Sequence, residues 1–212
     1  MITLAPWDAY RMLAEEYGHT PNPVLALERR TLPGLLPPVA RKVVVDVAAG
    51  TGYWAAWCSR RGAFAVAADW CWEMLEQSPR PAVLADALRL PFRSSSADVA
   101  ICSFGLGYAP ACLPELARIT RPGGVVIASD LHPAAIERGW TRSFRHRGQV
   151  LAVEHQRYTL EELATPGLSM ERLLEPAFGA PERAIFEQAG KLEHFDAATA
   201  HRAIFAALWR RT

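Results

Sequence analysis

Residues 43–52 read Val-Val-Val-Asp-Val-Ala-Ala-Gly-Thr-Gly, and they carry the clearest structural pattern in the chain. Its run of β-branched residues is typical of a strand buried on both faces of a parallel sheet. Gly50 and Gly52 then form a loop, and the alanine- and aromatic-rich residues 53–61 are long enough for a helix of about two and a half turns. A strand, a glycine loop and a helix in this order predict the first unit of an α/β fold.

The same rhythm continues along the chain and predicts a Rossmann-like, doubly wound sheet of seven strands. The other predicted strands are residues 63–68, 82–85, 98–103, 125–129, 168–174 and 204–209. A polar residue closes each of the first five strands: Asp46, Asp69, Asp86, Ser103 and Asp130. The carboxyl ends of parallel strands meet at one edge, where α/β proteins bind their ligands, so these residues predict a binding cleft.

Two segments lie outside this sheet in a chain that is one domain by length. Residues 1–41 form an N-terminal helical flap, with a short helix predicted over residues 24–30, and residues 42–212 form the main domain. An insertion at about residues 132–158 follows the fifth strand and carries a hairpin-like pattern, in which residues 140–147 and 149–155 turn at Gly148. Thr159 and Glu162 have the spacing of a capping box for the next helix.

Composition narrows the classes of function. The chain has 212 residues and a formal net charge of +1. A net charge this small produces no overall electrostatic attraction to nucleic acid or to an anionic membrane. Its 4 cysteines lack zinc-site spacing and are too few for a disulfide framework, and no metal site is predicted. Neither a leader peptide nor a membrane span is apparent, and we expect a cytoplasmic protein.

The glycine loop differs from a dinucleotide-binding loop. Its frame is Asp46-x-Ala48-x-Gly50-x-Gly52 and not G-x-G-x-x-G. The carboxylate within this frame would repel a pyrophosphate and attract a cation. Asp69 lies 23 residues after Asp46, close to the ~20 expected for an acidic residue that binds both ribose hydroxyls.

Five motifs in this order resemble those of the class I S-adenosylmethionine-dependent methyltransferases, above all the small-molecule group that contains the quinone-biosynthesis methyltransferases. They lie within residues 42–130 and read VVVDVAAGTG, AADW, LADALRLPF, ADVAICSFGLGY and LARITRPGGVVIASD. The resemblance implies a Rossmann-like methyltransferase with S-adenosylmethionine as cofactor and S-adenosylhomocysteine as product.

The resemblance also implies roles for individual residues. Asp46 would face the methionine end of the cofactor, Asp69 would accept the ribose hydroxyls, and Trp70 would stack beside the adenine. The other cofactor-binding positions that it implies are Ala48, Gly50, Gly52, Asp86, Ala87, Ser103, Tyr10 and Tyr17. One departure is Ala48, where the family usually has glycine. The alternatives are ordinary: the two aspartates cap helices, the glycines form a tight turn, and the tyrosines pack a flap helix.

The methyl acceptor is less well defined by the sequence. His132 follows the fifth strand and is our candidate base; the alternative is that its side chain caps the next helix. The insertion concentrates basic and aromatic residues in a chain that is otherwise neutral, which suggests a lid for an acidic or aromatic acceptor or, alternatively, a solvated hairpin. Candidate acceptor-binding residues are Tyr108, Trp140, Arg142, Arg145 and His155.

These features predict a methyltransferase that acts on a small molecule, with no nucleic-acid or membrane partner. The segment after Ser103 reads Phe-Gly-Leu-Gly-Tyr and lacks the N/D-P-P-Y/F pattern that holds an exocyclic amine, so O- or C-methylation is favoured. The main alternative is a noncatalytic module that binds S-adenosylmethionine or docks a partner. A nicotinamide-dependent oxidoreductase is a weaker one, because the loop is acidic and no Tyr-x-x-x-Lys pair is present.

Overall fold

A computed structural model describes residues 2–212, and its central feature is a seven-stranded sheet of order β4-β3-β2-β5-β6-β10-β9. The strands are β2 (Val43–Val47), β3 (Phe64–Asp69), β4 (Ala82–Leu84), β5 (Ala97–Ser103), β6 (Thr120–Leu131), β9 (Leu168–Leu174) and β10 (Ile204–Arg211). Strands β2 to β6 pair in parallel, and β10 runs antiparallel to both of its neighbours. The predicted doubly wound sheet of seven strands is confirmed.

Alternation along the central strands divides the apolar core into two layers. Val44 and Val45 point to opposite faces of the sheet and belong to two separate clusters of buried residues. The helices that cover these faces and the flap are α1 (Pro6–Leu13), α2 (Pro23–Thr31), α3 (Tyr53–Ser59), α4 (Trp72–Leu75), α5 (Leu113–Ile119), α6 (Pro133–Glu137), α7 (Ala180–Gln188) and α8 (Phe195–Thr199). Within residues 2–212, no helix is both long and apolar enough to span a bilayer.

Strand β6 is longer than the sequence predicts. The turn-like residues 121–124 lie within the strand, because Thr120 already pairs with Ala97 at the start of β5. The register shifts between Ala97 and Val99, which accommodates the glycines of this segment. Gly124 is required there, since a Cβ atom would come within 2.8 Å of the Asp98 carbonyl oxygen.

The predicted hairpin is present and forms a second, three-stranded sheet with the flap. Strands β7 (Ser143–His146) and β8 (Gln149–Val153) pair in antiparallel fashion, and β1 (Ile2–Leu4) adds to β8 in parallel, with Leu4 opposite Val153. Sequence reasoning missed β1, because three residues carry too little pattern to show a partner so distant in the chain. This sheet, hereafter the lid sheet, joins the flap to the insertion.

Candidate active site

The strand order brings four of the predicted polar residues to one edge of the large sheet. Asp46, Asp69, Ser103 and Asp130 lie at or near the carboxyl ends of β2, β3, β5 and β6, which are adjacent strands. Ser103 is directly opposite Ser129 in the β5–β6 pairing. The site therefore lies at the topological switch point, where β3 pairs with one side of β2 and β5 pairs with the other side.

Hydrogen bonds from Asp69 shape the glycine loop. The backbone N–H of Gly50 donates to Asp69 Oδ2 at 2.7 Å, and the N–H of Cys71 donates to Oδ1 at 2.8 Å. Gly50 and Gly52 have φ values of 54° and 74°, in the left-handed region that glycine adopts most easily. Each carboxylate oxygen of Asp69 keeps a free lone pair, so the residue can still accept from two hydroxyl groups.

Ala48 adopts the same left-handed conformation, with a φ of 53°. The position thus has the torsion that favours glycine, and alanine adopts it at a cost on the order of 1 kcal/mol. Neighbouring packing makes room for the methyl group, because a Cβ on Gly105 would come within 2.8 Å of Ala48 Cβ. Gly105, in the loop after the adjacent strand β5, thus leaves space for the side chain of Ala48.

The adenine side of the predicted site is more exposed. Trp70 has 41% of its surface exposed and meets Trp7 of the flap edge-on, with ring centroids 5.8 Å apart. Asp86 is exposed, and its Oδ1 accepts the Leu88 N–H at 2.9 Å, an arrangement that fixes the turn containing Ala87. These residues follow β3 and β4, so they lie on the side of the cleft away from Ser103.

Two buried carboxylates lie beneath the cleft, and sequence analysis predicted only one of them. Asp46 accepts the Ala55 N–H at Oδ2, 2.8 Å away, whereas its buried Oδ1 has no hydrogen-bond partner within residues 2–212. Burial raises the pKa of Asp46 to about 8, and the nearby charges of Glu28 and Asp69 add to the effect. The missed residue is Glu28 of α2, which is only 1% exposed.

Helical periodicity was the signal that could have identified Glu28. It lies four residues after Val24 and next to Leu27, so it belongs to the stripe of α2 that faces the core. Burial raises its pKa as well, although three side-chain hydrogen bonds act in the opposite direction.

A second polar cluster lies where the insertion meets the loop after β5. The Gly107 N–H donates to Asp130 Oδ2 at 2.7 Å, and Arg142 forms a buried ion pair with the same carboxylate. Arg142 also donates to the Phe104 carbonyl oxygen at 2.9 Å, and its guanidinium lies 4.5 Å from the ring centroid of Tyr108. Phe104 itself has a φ of 52°, an uncommon torsion for a bulky residue.

The predicted flap tyrosines reach this region. The hydroxyl groups of Tyr10 and Tyr108 are hydrogen-bonded at 2.8 Å, and the ring of Tyr17 lies edge-on to that of Tyr10. Burial raises the pKa of both Tyr10 and Tyr17. The phenols therefore stay protonated at neutral pH and act as hydrogen-bonding groups.

The structure places four of the predicted acceptor-side residues away from this cluster. His132 caps α6: its Nδ1 accepts the Ala134 N–H at 3.0 Å, and Nε2 contacts Glu175 at 2.8 Å. Both ring nitrogens are occupied, which matches the capping alternative and leaves none for an acceptor proton. Trp140 stacks on Phe178 in the apolar core, Arg145 is exposed and contacts the Gly148 carbonyl, and His155 contacts the carbonyl oxygen of Val153.

The buried carboxylates test whether the site fits S-adenosylmethionine. An unpartnered buried carboxylate oxygen is costly unless a ligand supplies the missing interaction. S-adenosylmethionine carries positive charge on its sulfonium and ammonium groups, which would favour the ionised forms of Asp46 and Glu28. Among residues 2–212, no cluster of three or more histidine, cysteine, aspartate or glutamate side chains could hold a metal ion.

Comparison with known proteins agrees with this geometry. Residues 45–128 match the model of a methyltransferase domain family. The chain is 42% identical over 95 residues to a demethylmenaquinone methyltransferase of Corynebacterium kroppenstedtii, and 42% identical over 93 residues to one of Mycobacterium sp. (strain KMS). The first match covers 42% of each chain, and the second covers 41% of this chain and 40% of the relative. The chain thus matches about two fifths of the length of these curated relatives.

Solved structures share the fold across most of the chain. An S-adenosylmethionine-dependent methyltransferase of Mesorhizobium loti superposes with a TM-score of 0.64 at 20% identity, covering 87% of this chain and 97% of its own. The geranyl diphosphate C-methyltransferase of Streptomyces coelicolor A3(2), solved with S-adenosylhomocysteine, superposes with a TM-score of 0.65 at 12% identity. This match covers 89% of this chain and 76% of that enzyme's chain. The central segment of the chain is thus similar in sequence to methyltransferase domains, and the chain shares the fold of these solved methyltransferases.

Proposed function

We propose that this protein transfers a methyl group from S-adenosylmethionine to a small-molecule acceptor. The observation that carries the proposal is the pair of buried carboxyl groups, Asp46 and Glu28, beneath the glycine loop. Asp69 accepts a hydrogen bond from this loop at Gly50. A cationic cofactor with a ribose diol suits this set of acceptors better than a pyrophosphate does. The aligned relatives have names of enzymes that methylate small molecules, which supports the same class of acceptor here.

Each part of the site has a separate role in the proposal. Asp69 would accept the ribose hydroxyls, and Asp46 with the loop through Gly50 would face the methionine end. Trp70 and Asp86 would flank the adenine. When bound, the cofactor supplies an electrophilic methyl group on a sulfonium. The protein then has to hold an acceptor atom in line with that methyl group and exclude water.

Arg142 and the tyrosine pair favour an acceptor with an acidic hydroxyl group. Arg142 is a permanent cation held beside Tyr108, and its buried Nε has no hydrogen-bond partner within residues 2–212. The buried hydroxyl of Tyr158 is likewise without a partner there. A phenolate or enolate oxygen would satisfy such donors. It would already be ionised, so the reaction would not require His132 as a base.

The same contacts favour O- or C-methylation over N-methylation. The residues around Arg142 are hydrogen-bond donors and aromatic rings, which suit an anionic or aromatic acceptor better than an amine. The lid sheet would cover the acceptor and reduce the access of water. All four cysteines are buried free thiols, which supports a cytoplasmic enzyme.

Transfer of a labelled methyl group tests the proposal. The protein is incubated with methyl-labelled S-adenosylmethionine and a panel of quinols, phenols and aromatic hydroxy acids, and extracted products are counted. We expect transfer to at least one hydroxylated aromatic compound and none in the Asp69→Ala variant. Binding of the cofactor without transfer to any member of the panel would instead support a noncatalytic module.

A further inference from the structure

Glu28 is an unusual residue to find in the core of this fold. It projects from the middle of α2 into the protein interior, where a buried carboxylate is costly unless its oxygens are well satisfied. Three donors converge on Oε1: the hydroxyls of Ser103 and Ser129, each at 2.7 Å, and the indole N–H of Trp54 at 3.1 Å. All three contacts suit the ionised form of the carboxylate.

The donors come from elements that define the cleft. Ser103 ends β5, Ser129 lies opposite it in β6, and Trp54 lies on α3, directly after the glycine loop. Asp46, on the adjacent strand β2, is close enough that the charge of Glu28 raises its pKa. Tyr17 of the flap is affected in the same way. Glu28 is thus the centre of a polar cluster beneath the end of the cleft that contains Asp46.

This cluster contains two carboxyl groups with unused acceptor capacity. Oε2 of Glu28 receives only the indole N–H, at 3.2 Å, and Oδ1 of Asp46 receives nothing from residues 2–212. The side chains that contact Glu28 are two hydroxyls and an indole, and none of them is a cation. A singly charged ligand that donates several hydrogen bonds would complete the cluster, and a primary ammonium group has this chemistry.

We infer that Glu28, acting with Asp46, binds the ammonium group of the cofactor's methionine end. The inference rests on the proposed function, because it assigns a new ligand-binding residue within the same cofactor site. It also explains why α2 carries a carboxylate where an apolar side chain would pack at lower cost. The competing explanation is purely structural: Glu28 ties α2 to the sheet and does not contact a ligand.

The test compares two ligands that differ at the methionine end. S-adenosylhomocysteine has the ammonium group, whereas 5′-methylthioadenosine keeps the adenosine and sulfur but lacks the amino-acid portion. Binding of both is measured by titration calorimetry to the wild type and to Glu28→Gln, which keeps the shape and removes the charge. We expect the substitution to weaken the binding of S-adenosylhomocysteine by about tenfold or more. The binding of methylthioadenosine should weaken by less than about twofold.

Glu182→Gln is the matched control. Glu182 is equally buried and also contacts α2, through an ion pair with Arg30 at 2.7 Å, but it comes from α7. This variant is expected to lower the unfolding temperature and to leave the affinity ratio of the two ligands unchanged. If Glu28→Gln does not fold, Glu28→Met removes the charge with an apolar chain of similar length, and the same change in ratio is expected.

The outcomes separate the inference from the function on which it rests. An unchanged ratio in Glu28→Gln, or equal weakening of both ligands, would overturn the inference and leave the proposed function standing. A folded wild type that binds neither ligand would overturn the proposed function itself, and the inference with it.

Discussion

At the scale of single residues, Asp46 couples the stability of the protein to pH. Its pKa is raised to about 8 in the folded chain, against about 3.9 when unfolded. Between these values the folded state holds a proton that the unfolded state lacks, so the free energy of unfolding falls as pH rises. We expect a decrease on the order of a few kcal/mol from about pH 5 to about pH 8, measured by urea unfolding.

The Asp46→Asn variant should show a shallower slope over this range. A weaker dependence should remain, because burial raises the pKa of Glu28 in the same direction. Wild-type and variant slopes that coincide would show that Asp46 is ionised in the folded protein at neutral pH.

Arg142 is the second residue whose removal should have a large effect. Its loss would leave the buried carboxylate of Asp130 without its cation, at a cost of about 3–5 kcal/mol. Urea unfolding of Arg142→Ala measures this cost, and Arg145→Ala, on the same hairpin but exposed, should change stability by less than about 0.5 kcal/mol. Equal effects of the two substitutions would contradict the buried pairing with Asp130.

Sequence reasoning identified residues that end strands better than residues that reach the site from elsewhere. Asp46, Asp69 and Ser103 could be predicted because each interrupts an apolar run at the same edge of the sheet. Glu28 was missed because its partners are distant in the chain, as Ser129 is 101 positions away. His132 has the right position but not the right contacts, since local capping and Glu175 engage its ring.

At the scale of elements, the lid sheet joins two segments that the sequence shows only separately. The strand β1 pairs with β8, and helix α1 contacts α4 beside Trp70. The hairpin was predictable from its glycine turn and its alternation. The attachment of the flap was not, because backbone pairing of a three-residue strand depends little on its side chains.

This connection predicts that the flap and the hairpin respond together to the cofactor. We expect S-adenosylhomocysteine to slow hydrogen exchange both in residues 6–17 and in residues 143–153, because Tyr10 is hydrogen-bonded to Tyr108 in the loop after β5 and packs against Tyr17. Strand β9, at the far edge of the large sheet, serves as the internal control and should not change. Slower exchange in only one of the two segments would contradict a single lid.

At the scale of the whole molecule, the fold was predictable because a parallel sheet buried on both faces leaves a strong apolar pattern. The same sheet places ligand-binding groups at one edge whichever molecule is methylated, so the fold does not specify the acceptor. In the proposed function, specificity for the acceptor depends instead on Arg142, the flap tyrosines Tyr10 and Tyr17, and the lid sheet. These come from the insertion and the flap, which carry the weakest sequence pattern in the chain.

The central claim is that the carboxyl edge of the large sheet binds S-adenosylmethionine. Titration calorimetry of the wild type with S-adenosylmethionine tests this claim, and NAD is the control ligand. The Asp69→Ala and Asp98→Asn variants are titrated with S-adenosylmethionine in the same way. Asp98 is the second residue of β5, at the opposite edge of the sheet, where it forms an ion pair with Arg121. We predict binding by the wild type and by Asp98→Asn, no binding of NAD, and an affinity at least about tenfold weaker in Asp69→Ala. A folded wild type that shows no heat of binding with S-adenosylmethionine, or an Asp69→Ala variant that binds it as tightly as the wild type, would contradict a cofactor site at this edge.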